Sequence, residues 1–148
     1  MFLSSILEIF AIIILGIFQL TSIPFIYYVK PDLTLLAVLA MSAYEKRWIR
    51  RIAWLIIAAA ILKFTPGIDW RLALFTASAA FGMILSDYLP WKRPVNFLIA
   101  VAVSGFAVNL ELFGLEWNAA LREMGLDLII GIIFFGLASV FYAKKKIN

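Results

Sequence analysis

Six long apolar runs, separated by short polar breaks, organise the chain: 6–28, 31–46, 50–66, 71–89, 94–113 and 122–143. A helix needs about 17–25 apolar residues to cross roughly 30 Å of hydrocarbon, fewer where flanking Lys or Arg can snorkel. The pattern therefore predicts six transmembrane helices. The breaks have physical causes. Pro31 suits the first turn of the second helix, where a missing N–H costs nothing. Pro66-Gly67 stops the third, and Pro90 and Pro94 bracket the turn between the fourth and fifth. The second and third runs are short, and residues 45–51 could close them into one tight hairpin. Five spans with one re-entrant segment is the alternative. With no internal repeat and no long linker, 1–148 reads as a single polytopic domain.

Composition supports the membrane. Apolar residues are 65% of the 148 and charged residues 15%, against about 45–50% and 25% in soluble domains. Mean hydropathy is +1.02. A soluble fold of this size leaves too much surface in water to hide such a chain. The net charge of +4 is too small and dispersed for a nucleic-acid partner. Cysteine and histidine are both absent, which removes disulfides, thiolate sites and the commonest general base and metal ligand. No cofactor, metal site or enzyme activity is expected. The start, Met1 to Glu8, has an acid but no base, and no small-residue cleavage site follows. It reads as a retained helix rather than a signal peptide.

Charge also orients the spans. In the six-span arrangement Lys46, Arg47, Arg50, Arg51, Lys92, Arg93, Lys144, Lys145 and Lys146 share one side. Lys30, Lys63, Arg71 and Arg122 fall on the other. The positive-inside rule places both termini in the cytoplasm. Tyr27, Tyr28, Trp70 and Trp117 then form an outer aromatic belt, and Tyr44, Trp48, Tyr88, Trp91 and Tyr142 an inner one.

Every charge falls within about one and a half turns of a predicted span end, where snorkelling is inexpensive. Ion-coupled carriers place ionisable groups near the midplane, so the pattern argues against one. Glu8, near the inner end of the first span, reads either as a coupling acid or as an interfacial carboxylate, and Asp127 as an acid at the positive end of the last helix dipole. Asp87 reads as a local counter-charge to Lys92 and Arg93. Lys63 is either a snorkelling lysine or a partner for an acid elsewhere. Asn109, Glu111 and Glu116 either line an outward pocket or belong to a solvated helix end. The Ala73-x-x-x-Ala77, Ser78-x-x-x-Gly82 and Ala100-x-x-x-Ser104 pairs let helices approach closely, within the protein or against a partner.

Read in order, these segments resemble one family. A long first span precedes Lys30-Pro31-Asp32-Leu33-Thr34-Leu35-Leu36, which opens the second. A basic connection at 46–51, a third span ending in Pro66-Gly67, two hairpinned spans and a Lys144-Lys145-Lys146 tail follow. The chain resembles MreD, the small integral membrane protein of the bacterial rod-shape machinery. It departs at Lys63-Phe64-Thr65-Pro66-Gly67, where the family commonly has an acid before the glycine. The resemblance implies a non-enzymatic scaffold in the bacterial inner membrane. It would act with MreC and link MreB filaments to peptidoglycan synthesis by RodA-type polymerases and class B penicillin-binding proteins. It also implies a compact six-helix fold similar to the S-components of energy-coupling-factor transporters. The alternative function is therefore a vitamin- or metal-binding S-component using Asn109, Glu111 and Glu116.

Overall fold

The structure, a computed structural model, describes residues 2–20, 32–63, 70–112 and 117–145. Each predicted run contains a helix among the described residues: α1 (Phe2–Leu20), α2 (Leu33–Ser42), α3 (Trp48–Leu62), α4 (Trp70–Tyr88), α5 (Arg93–Leu112) and α6 (Trp117–Lys145). The protein is an all-α bundle of six helices. Leu- and Ala-rich runs free of internal proline favour helix. In α5 the one proline, Pro94, stands in the first turn, where it is tolerated.

The ten-residue α2 is the centre of the bundle. Every one of its residues is buried, and it touches all five other helices. A helix apolar all round belongs inside. At 1.5 Å per residue it is about 15 Å long, half a hydrocarbon thickness. It begins at Leu33, capped by Asp32; Pro31, expected in its first turn, lies outside the described residues. Around it α5 packs on both α4 and α6, and α1 on α3. The core includes Ile12, Leu35, Leu36, Val38, Leu39, Trp54, Met83, Phe97 and Val101.

The hairpin between α4 and α5 closes on a side chain. Asn96 is buried, and its Nδ2 donates to the carbonyls of Ser86 (3.1 Å) and Leu89 (2.8 Å). Those carbonyls end α4 and would otherwise lack helical partners.

Among the described residues one helix is long and apolar enough to cross a membrane unaided: Trp117–Ala143, with mean hydropathy 2.2. Only 11% of its apolar stretch is buried within the protein. The other apolar helical stretches, Ile6–Leu20, Leu33–Ser42 and Arg93–Asn109, are shorter. Large apolar side chains nevertheless face outward around the bundle. They include Ile6, Phe10, Ile14 and Ile17 on α1, Ile52 and Ile56 on α3, Phe81 and Ile84 on α4, and Ile129, Ile132, Ile133, Leu137 and Val140 on α6.

The Ser78-x-x-x-Gly82 face of α4 is turned inward, whereas Ala73 and Ala77 are exposed. Ser78 and Gly82 are both buried, and Ser104 Oγ of α5 donates to the Ser78 carbonyl at 2.9 Å. A Cβ on Gly82 would overlap Ser104 Oγ and lie 3.0 Å from Leu39 Cδ2. These positions therefore join α4 to α5 and α2 rather than waiting for a partner helix. Gly82→Ala is expected to cost about 1–3 kcal/mol through overpacking. Gly136, with nothing within 4 Å of an added Cβ, should accept alanine and gain up to about 1 kcal/mol of helix propensity. Unfolding equilibria in mixed detergent micelles would compare the two. Equal effects would contradict this packing.

Candidate functional site

Two polar clusters lie at opposite ends of the bundle. The first gathers where α1 ends, α2 begins, and α5 and α6 run alongside. Asp32 Oδ1 accepts from Leu35 N of α2 at 3.1 Å and from Gln19 Nε2 of α1 at 2.7 Å. Gln19 Oε1 in turn accepts from Thr34 N at 2.9 Å. The first-turn donors of α2, which have no intrahelical partner, are thus met by a cap and a neighbouring amide. An acid there also complements the positive helix end.

Asp127 of α6 completes this cluster. Its Oδ1 accepts from Asp32 N at 3.0 Å, and its Oδ2 accepts from Asn109 Nδ2 at 3.3 Å. Asp127 is 0% exposed, and Asn109 and Glu123 are also buried. Gly105 of α5 makes room: a Cβ there would meet Asp127 Oδ2 at 3.0 Å. One carboxyl therefore joins α2, α5 and α6, and Asp32 extends the link to α1.

This corrects two readings of the sequence. Helix α6 begins five residues before the predicted span, so Asp127 lies about three turns inside it and not at its start. Glu8, expected as an interfacial carboxylate, is 3% exposed, and its Oε1 accepts from Tyr142 Oη at 3.1 Å. Two carboxylates are thus buried within the bundle, Asp127 toward one end and Glu8 toward the other. Among the described residues, though, no three acidic side chains converge to hold a metal ion.

The second cluster joins the α2–α3 and α4–α5 connections and the last turns of α6. The Arg51 guanidinium forks onto Asp87: Nη1 pairs with Oδ2, and Nη2 donates to Oδ1 at 3.1 Å. Its Nε donates to the Glu45 carbonyl at 2.6 Å, and its plane lies 5.1 Å from the Trp48 ring. Asp87 therefore pairs across the bundle with α3, not locally with Lys92 and Arg93 as expected. Glu45 holds Arg50 at 2.8 Å. The Tyr44 ring stacks on Tyr142 at 5.5 Å and lies 6.0 Å from the Arg93 guanidinium. Both connections carrying basic residues thus share one end of the bundle with α6's Tyr142.

The remaining sequence candidates divide. Asn109 enters the first cluster. Lys63 caps the end of α3 and is exposed. Lys30, Pro31, Glu116 and the Glu111 side chain lie outside the described residues. Sequence reasoning missed Gln19 and Asp127 as partners of Asp32. Only the polar side chain within an apolar run hinted at Gln19. Among the described residues these polar contacts brace one helix against another. No protein-family model matches the chain, and no curated protein or solved structure matches it.

Proposed function

We propose that this chain is a multi-pass protein of the bacterial inner membrane, its six helices forming a compact bundle with both termini cytoplasmic. We further propose that it acts as a non-enzymatic scaffold of the MreD kind, joining MreC- and MreB-type partners to peptidoglycan synthesis. The observation that carries the reading is the placement of polarity. Inside the bundle Gln19, Asp32, Ser104, Asn109 and Asp127 engage one another and the backbone, while the flanks present Ile, Leu and Phe. Apolar flanks of this extent suit lipid or partner helices and not water. Asp32, from the segment that carries the family resemblance, caps α2 and bonds α1 and α6. Its role is architectural, as a scaffold requires.

Asn109 favours a second reading, since it belongs to the buried cluster that an S-component-like binder would use. One experiment separates the two. Depleting the protein from its own bacterium should give wide, rounded cells, and mild-detergent purification should recover an MreC-like partner. Gly136→Leu, at an exposed position where an added Cβ meets nothing within 4 Å, tests the outward face of α6. Normal cell width, with a growth defect corrected by a vitamin, would replace the scaffold with the binder.

A further inference from the structure

We propose that the end of the bundle formed by the α2–α3 and α4–α5 connections binds the phosphate headgroups of anionic phospholipids. The inference rests on the membrane reading above and names the lipid that this end would meet. Its basis is which charges are already satisfied. Glu45 is engaged by Arg50, Asp87 by Arg51, and Glu8 by Tyr142. Lys46, Arg47, Lys92 and Arg93 are all exposed, and none is in an ion pair among the described residues. The acids of this end thus hold the helices, and four cations remain outward.

These cations form one surface because the two connections are tied together. The Arg51–Asp87 pair joins the start of α3 to the last turn of α4, each within five residues of a basic pair. Arg93 over the Tyr44 ring joins the connections a second time. Aromatic rings flank the charges: Trp48 is 43% exposed, Trp91 57% and Tyr88 83%. Indole and phenol rings settle at headgroup depth, with an apolar body toward the acyl chains and a polar edge toward water. A leaflet of anionic lipid offers that apolar bed and the phosphates together. An acidic protein segment supplies only the charge.

The test uses the full chain purified in mild detergent. Mixed micelles of phosphatidylglycerol or of zwitterionic phosphatidylcholine are added, and retained lipid is counted by native mass spectrometry. A cation close to an anionic leaflet favours binding about fivefold. The parent should retain phosphatidylglycerol at least about tenfold better than phosphatidylcholine, a preference weakened by salt. The fourfold variant Lys46→Gln, Arg47→Gln, Lys92→Gln, Arg93→Gln should lose it. The variant Lys63→Gln, Arg71→Gln, Arg122→Gln, altered at the opposite end, should keep it. Equal retention of the two lipids by the parent, or an undiminished preference in the fourfold variant, overturns the proposal. In either case extraction of the parent only by detergent leaves the membrane reading standing. Release into detergent-free buffer overturns both.

Discussion

Asp127→Ala is expected to destabilise the bundle by about 2–5 kcal/mol, and Asp127→Asn by about 1 kcal/mol or less. Alanine removes the acceptor of two donors at once, Asp32 N–H and the Asn109 amide. Asp127 has no exposed surface, so water does not replace it without opening the helices. Each buried donor left unmade costs about 1–3 kcal/mol. Asparagine keeps one carbonyl oxygen for Asp32 N–H. Turning the Asn109 amide then presents its own oxygen to the new NH₂ group. The check is unfolding equilibrium in mixed detergent micelles for the parent and both variants. If both variants fall equally, the charge itself, and not the count of hydrogen bonds, governs the site. If neither falls, Asp127 is not the brace described here.

The contrast between these variants marks where sequence reasoning reached and where it stopped. Each of the six helices was visible as an apolar run, because a run of Leu, Ile, Ala and Phe bounded by Pro, Gly or charges has few other uses. The start of α6 was not. Arg122 and Glu123 looked like a boundary, yet the helix passes through them from Trp117 and carries Asp127 inward. A charge pair ends a hydropathy run; it does not end a hydrogen-bonded helix. The partners of the charges were equally hidden. Asp87 pairs with a residue 36 positions away, and Glu8 with one 134 positions away, whereas local spacing offers only Lys92 and Arg93. Gly82 was recognised as a place of close approach, but its neighbour could be read only from the packing of α4 on α5.

At the opposite end the expected result is an asymmetry. Asp87→Ala should cost about 2–3 kcal/mol and Arg51→Met about 1 kcal/mol, although each breaks the same ion pair. The Arg51 side chain is 4% exposed and that of Asp87 38%. Removing the carboxylate strands a buried guanidinium with only the Glu45 carbonyl as its acceptor. An uncompensated buried charge is worth about 3–5 kcal/mol, and the solvent already reaching Asp87 reduces that figure. Removing Arg51 instead leaves a carboxylate that water can hydrate, while methionine fills the apolar path of the arginine stem. The double variant should be no worse than Asp87→Ala alone, and closer to Arg51→Met, because the stranded charge has gone. Unfolding equilibria for the four proteins complete the cycle. Equal single losses that simply add would show that the pair is a surface contact, and that the α3–α4 link does not depend on it.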